Sequence, residues 1–397
     1  MIRPATRLGV MAALLLSATF LCAGDAASQD TSVFDGWITD RANGCRAFVP
    51  ELRDYARISW RGPCVGGRAD GAGRLAVAVT GAPDRTYTVT FRNGRIDGSG
   101  TIEWGNGDRY EGAFREGRRS GHGTLTWAAG GSYEGDFVDG HLTGRGVQVL
   151  PNGARYEGDF ADGEMEGQGL FVWPSGTRYE GAFRAGARTG AGTMTWSNGD
   201  RYDGTFRDGL RDGRGVMVWA NGSRYEGSFA EDHVTGRGTL VSGEGETYEG
   251  EFVDGQFHGI GRLTRAGGDR YEGEFKAGQF DGAGVLRRAS GEHYEGQFAA
   301  GLFSGQGTLT FPNGDRFEGG FVDGVITGHG IVTFANGDTF EGVFEGNQAS
   351  GRGTYRFANG RLCGGGIWNR GRSQACRARV ALEPAPLTRP DAASAGR

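Results

Sequence analysis

From Tyr110 onward one phrase returns every 23 residues: an aromatic residue, an acid, glycine, any residue and phenylalanine, first as Tyr110, Glu111, Gly112 and Phe114. The aromatic recurs in strict register at Tyr133, Tyr156, Tyr179, Tyr202, Tyr225, Tyr248, Tyr271, Tyr294, Phe317 and Phe340. Eleven copies with no insertion or deletion confine the chain to a stacked array, in which each unit buries its apolar face only against its neighbours. Length then adds surface rather than a larger central core. Glycine supplies 78 of the 397 residues, but at fixed offsets with aromatics between, so the composition is neither collagen-like nor that of a flexible linker.

Within a unit, Tyr110 to Phe114 alternates as a β-strand does. Gly117 to Gly123 reads as a turn, Thr124 to Trp127 as a second strand, and Gly130 with Gly131 as the next turn. Each repeat is therefore expected to be a β-hairpin. The pairs Asn198-Gly199, Asn221-Gly222, Asn313-Gly314, Asn336-Gly337 and Asn359-Gly360 supply connecting residues that accept positive φ. Twenty-two strands at ~4.8 Å make a twisted ribbon about 100 Å long. Side-chain alternation places Tyr110, Gly112 and Phe114 on one face, joined by Leu125 and Trp127, and Arg109 with Glu111 on the other. At Gly112 the missing side chain lets a neighbouring ring lie against the backbone.

The Tyr-Glu-Gly-x-Phe phrase, its glycine-bounded turn and the Gly-x-Gly-Thr that follows resemble MORN repeats (membrane occupation and recognition nexus), across roughly residues 87–366. Degenerate units start at Tyr87 and at Cys363, which sits where the next tyrosine would fall. The resemblance implies an all-β, elongated, twisted single-sheet array of hairpin repeats, a binding or scaffolding role, and membrane association. Residues 33–75, with Trp37, Cys45, Trp60 and Cys64, look like the cap of exported bacterial members. MORN repeats also accompany phosphatidylinositol phosphate kinases and a lysine methyltransferase. The roughly 60 residues before this array and 30 after it are too few for either catalytic domain, which needs ~100 residues or more.

The ends carry the remaining signals. Arg3 and Arg7 precede an apolar run from Leu8 to Ala23 and small residues from Gly24 to Ser28, the layout of a cleaved secretory signal peptide. The chain divides into a signal peptide at 1–26, an N-terminal cap with a degenerate repeat at 27–86, the array at 87–362, a C-terminal cap at 363–379 and a disordered tail at 380–397. Loss of Cys22 with the signal leaves an even set, and each remaining pair flanks one end of the array. The expected disulfides are Cys45 with Cys64 and Cys363 with Cys376, each worth about 3 kcal/mol. The formal charge moves from −5 to −6 when residues 1–26 leave with Arg3, Arg7 and Asp25, which argues against nucleic acid as a partner. Together these features place the protein outside the cytoplasm, in the periplasm or elsewhere in the cell envelope.

No catalytic constellation is legible. His122, His141, His233, His258, His293 and His329 fall at scattered offsets, and no glycine-rich phosphate loop or metal-ligand spacing is present, so neither cofactor nor metal is expected. The acids from Glu111 to Glu341 recur in a single row. Arg109, Arg155, Arg178, Arg201, Arg224, Arg270 and Arg316 stand two residues before an acid on the same strand face; this is a solvated charge ladder rather than a glycosidase dyad.

One break stands out. At the offset of Trp127, Trp173, Trp196 and Trp219, and of Phe311, Phe334 and Phe357, three successive units carry Ser242, Arg265 and Arg288. Arg265 and Arg288, helped by Arg262 and Arg287 and bordered by Trp219, are candidates to grip an acidic segment or elongated anion at repeats ~10 Å apart. The expected function is a non-enzymatic envelope scaffold that binds a protein partner, with membrane lipid or envelope glycan as the alternative ligand. Homodimerisation through an uncovered aromatic face is a further expectation.

Overall fold

A computed structural model describes residues 36–385 apart from 51 and 53, with the side chains of 364 and 365 also left out. The expected signal peptide and residues 386–397 of the tail lie outside the described residues. Among the described residues the regular structure is all β-strand, and one sheet of 32 strands runs the length of the array. Every repeat contributes a seven-residue first strand, such as Arg224–Ala230, and a nine-residue second strand, such as His233–Val241. Consecutive strands pair antiparallel throughout. Tyr225 faces Leu240 and Gly227 faces Gly238 within the hairpin, and Leu240 then faces Tyr248 of the next unit.

The hairpin turn is tighter than the glycine spacing suggests. In the first full repeat the second strand is Arg118–Thr126, so only Glu116 and Gly117 connect it to Arg109–Arg115. Both turn residues are left-handed, at φ 51° and 83°, which is the two-residue hairpin turn that matches strand twist. The glycine-rich stretch after Gly117 is therefore strand, with a bulge opposite Gly112. At the other connection the asparagines do not take positive φ; only the glycine does, as at Gly199 (φ 96°). Asn198 instead accepts the Asp200 amide on its side-chain oxygen (3.0 Å), and Asp200 accepts Ala220 N–H of the next repeat (2.8 Å).

The core is a chain of rings. Tyr225 meets Phe229 edge-on at 5.3 Å and Phe252 of the next repeat at 5.1 Å, and the motif recurs from Tyr110 to Phe344. Edge-to-face geometry brings the positive rim of one ring to the negative face of the next. The ring over each glycine pair belongs to the strand's own tyrosine: side chains at Gly227 or Gly238 would collide with Tyr225. Its hydroxyl donates to the bulge carbonyl of Ser228 (3.1 Å), so the buried polar tip is satisfied.

The second strand supplies a cover for these rings. Ten residues into each repeat lie Arg119, Leu142, Met165, Arg188, Arg211, Val234, Phe257, Phe280, Phe303, Ile326 and Ala349. Phe257 stacks on Tyr248 at 3.7 Å, whereas the Arg211 guanidinium lies 5.7 Å from the Tyr202 ring centre. With this cover the tyrosines from Tyr110 to Tyr294 are essentially inaccessible in a single chain, while Trp127, Trp173, Trp196 and Trp219 on the same side stay half-buried.

Both ends are closed as the cysteine positions imply, with Cys45 bonded to Cys64 and Cys363 to Cys376. The N-terminal cap belongs to the same sheet: Tyr55–Arg61 pairs with Gly71–Val79, and Trp60 packs edge-on against Phe91 at 5.0 Å. At the other end Trp368 takes the place of a repeat phenylalanine against Phe340. The described part of the C-terminal tail is packed rather than disordered, because the chain folds back on the last repeat. Val380 and Leu382 are buried, and Leu382 N–H donates to Asn347 O (2.9 Å).

A Cys45→Ala/Cys64→Ala variant should lose about 3 kcal/mol, and in a nearest-neighbour stack the loss stays local. Hydrogen exchange should accelerate across Tyr55–Val79 while amides around Tyr202 keep their protection. Uniform acceleration along the array would show that the repeats do not behave as a one-dimensional stack.

Candidate binding surface

Strand alternation divides the predicted arginine group between two faces. Arg262 faces Glu249 and Glu272 in register on the polar side, and its Nη2 lies 3.3 Å from Glu272 Oε2. Arg287 sits on the same polar side, opposite Arg270 and His293. Arg265 and Arg288 begin the turns and lie with the aromatic side, sharing a small cleft with Leu263, Tyr271, Phe280 and Leu286. Their charges are engaged within the chain. Arg265 Nε is 3.9 Å from Glu246 and Arg288 Nε is 3.2 Å from Glu292, the latter pair only 13% and 3% exposed at the side chains. The second Glu292 oxygen accepts Ala385 N–H (3.1 Å). The four arginines therefore do not form one anion grip.

Five of the seven arginines that stand two residues before an acid pair with it among the described residues, Arg109, Arg155, Arg201, Arg224 and Arg316, whereas Glu272 pairs with Arg262 rather than Arg270. Arg155 and Glu157 approach to 2.7 Å and Arg201 and Asp203 to 2.6 Å, while Arg316 also pairs with Glu318. All are solvent-exposed, so each pair contributes little beyond register and solubility. Between these rows the polar side opens a trough of about 640 Å3, lined by Arg214, Arg237, Arg262, Glu226, Glu249 and Glu272. Its apolar component is Val216 with Ile260, whose side chain stands 66% exposed. Arginine and glutamate in adjacent rows offer both charge signs at fixed intervals, a pattern suited to a zwitterionic protein surface rather than to a uniformly charged polymer.

On the aromatic side a second cleft, of about 380 Å3, lies between Trp196 and Trp219 over Met217 and Val234. Asp200, Asp232 and Asp254 line it together with Arg211 and His233. Asp232 stands where most repeats carry the turn glycine, and it holds a left-handed φ of 69°, a conformation that costs a non-glycine residue roughly 1 kcal/mol or more. Its carboxylate accepts both the backbone N–H and Nε–H of Arg211, each at 2.9 Å, and its carbonyl accepts Nη2–H at 2.8 Å. Arg211 is thereby held over the rings of Trp196, Tyr202 and Phe229. Trp219, predicted as a border residue, is half-buried in the wall of this cleft.

Burial controls the ionisation of the row beneath. The tyrosines Tyr110, Tyr133, Tyr156, Tyr179, Tyr202 and Tyr225 are pushed up to about 12, chiefly by desolvation. Tyr248, Tyr271 and Tyr294, each of which carries a stacked phenylalanine, are raised further for the same reason. They are structural groups.

Three solved structures are similar in part: the TCP domain of Drosophila melanogaster SAS-4 in complex with a proline-rich motif of Ana2 (14% identity, 44% of this chain and 82% of that one, TM-score 0.22), the TCP10 domain of Danio rerio CPAP (10%, 62% and 99%, 0.21) and a streptogramin B lyase (10%, 62% and 82%, 0.13). A search of the curated proteins returns no match. The family model for the MORN repeat matches 90–109, 110–132, 133–155, 156–178, 179–201, 202–224, 248–270, 271–293, 294–316, 317–339 and 340–360. It passes over 225–247, the repeat containing Asp232 and Ser242, although the strand register there is intact. Repeated matches over more than half of its length, ten of them each coinciding with one hairpin of the sheet, show that the chain belongs to the MORN-repeat family.

Proposed function

We propose that this protein is an exported, non-enzymatic scaffold of the bacterial cell envelope, and that it holds a protein partner at the middle of its ribbon. The observation that carries this reading is the repeat at 225–247. It keeps the register of its neighbours while departing from the family pattern, and it replaces a turn glycine by the strained Asp232. The fold does not require that change, and strain that folding does not need points to function. Both the polar trough and the tryptophan cleft use this repeat. The two disulfides fit an oxidising compartment, and the acidic balance of −5 disfavours an anionic lipid surface.

The trough is the primary docking surface, with Arg237 and Arg262 providing charge and Ile260 the apolar anchor. Arg265 and Arg288, already paired, brace the opposite side. Photo-crosslinking probes at Thr239 and Ile260, introduced in the native cells, should capture one and the same protein. A probe at Thr124, at a distant repeat, should capture it far less. Replacing Arg237 and Arg262 with alanine should reduce the yield several-fold. Adducts of lipid or glycan alone, or equal capture from all three positions, would overturn the reading.

A further inference from the structure

The tryptophan side carries a periodicity of its own. Trp173, Trp196 and Trp219 occupy the same place in three successive repeats, each half-buried against the core. Each is fixed at the backbone by turn hydrogen bonds, as between Trp219 N–H and Ser223 O (2.9 Å). Arginines brace two of the rings, Arg188 at 5.7 Å from Trp173 and Arg211 at 5.8 Å from Trp196. Two strands separate successive indoles, which sets a step of ~9.6 Å.

That step discriminates among peptide conformations. An α-helix returns a residue to the same face every ~5.4 Å, and a β-strand does so every ~6.6 Å. A polyproline II helix does so every third residue, at about 9.3 Å. Only the last keeps pace with three indoles in line. Proline-rich segments also lose little entropy on docking and pack their rings on aromatic walls. Along the cleft three aspartates, Asp200, Asp232 and Asp254, outnumber the one arginine, Arg211, which pairs with Asp232. Asp200 and Asp232 are held by their own hydrogen bonds, and Asp254 has no hydrogen bond or ion pair among the described residues.

We infer that the rail formed by Trp173, Trp196 and Trp219 binds an extended proline-rich segment with basic flanking residues, its prolines seated at every third position between the indoles. This deepens the reading of the ribbon as a protein-binding scaffold, and it assigns the aromatic side a partner segment distinct from the surface held by the polar trough.

The test uses the full oxidised chain and a fluorescently labelled twelve-residue peptide with proline at every third position and two arginines. Anisotropy should show saturable binding, weakened roughly ten-fold or more by Trp219→Ala and by Trp196→Ala, and several-fold by Asp254→Asn. Trp196→Phe, which keeps the packing, should retain most of the affinity and so separates loss of the rail from loss of the fold. A glycine-substituted peptide should not bind. No saturation by the proline peptide, or unchanged affinity in both alanine variants, would overturn the inference. So would tighter binding of a β-1,4-linked hexasaccharide than of the peptide, dependent on the same indoles. Crosslinking from Thr239 and Ile260 is independent of this result; a captured protein together with a silent peptide assay would sink the rail and leave the scaffold standing.

Discussion

Gly238→Ala should be among the most destabilising single substitutions in this chain, costing roughly 3 kcal/mol or more. A β-carbon there would stand 2.5 Å from Tyr225 Cε2 and 2.7 Å from its Cζ. The ring cannot yield, because Phe229 and Phe252 hold it on two sides and its hydroxyl is tied to Ser228 O. Gly245→Ala is the control: its φ is 91°, but a β-carbon meets nothing within 4 Å, so only the backbone cost of about 1–2 kcal/mol applies. Chemical denaturation should therefore shift far more for Gly238→Ala. It should also become biphasic, since a stack broken in the middle leaves two parts that unfold separately. Equal effects of the two substitutions would refute the ring-over-glycine account of why the repeat needs this residue.

The second large effect is alkaline. Unfolded tyrosines ionise near 10, whereas of the nine tyrosines from Tyr110 to Tyr294 that open repeats six hold their protons to about 12 and three beyond that. A raised folded pKa contributes its full stability below the unfolded value and loses it as pH rises through the folded value. With nine such groups, the β-sheet circular dichroism should collapse cooperatively between pH 10 and 12, in step with tyrosinate absorbance. Tyr225→Phe copies Phe317 and Phe340. It should cost about 1 kcal/mol at pH 7 through the lost hydroxyl bond, and it should narrow that deficit above pH 10. Tyrosinate absorbance that rises at pH 10 while the sheet signal persists would show that the rings are accessible and the burial argument mistaken.

Most of this architecture is legible in the repeat itself. Strict spacing fixes a stack, alternation fixes the two faces and the arginine–acid ladder, and the cysteine positions fix the end staples. What escaped the reading has physical causes. Gly117 to Gly123 resembles a long turn, because glycine serves both turns and bulges; Gly121 is left-handed within the strand, not in a loop. Taking that stretch as turn concealed the residue ten places into each repeat, whose identity changes from Arg119 to Phe257 and so has no consensus to attract notice. The arginine cluster failed on a rule already available: Arg287 and Arg288 are adjacent and Arg262 is three residues from Arg265, and odd spacings in a strand point to opposite faces. The tryptophan cleft was only half visible, since Trp219 has a place in the repeat while Asp232 matters through a turn that sequence spacing did not locate.

Val216 and Met217 are consecutive residues of one strand, yet Val216 lines the polar trough and Met217 floors the tryptophan cleft. The strand His233–Val241 likewise serves both sides, lending His233 and Val234 to the cleft and Arg237 to Thr239 to the trough. A globular protein can place a layer of packed side chains between its front and back, where a local displacement dissipates. Here the partition is a single thickness of peptide backbone, shared by whatever occupies either side. Tilting one strand to accommodate a guest in front necessarily re-aims the alternate side chains behind, so the ribbon has, at this repeat, no means of keeping its two surfaces ignorant of each other.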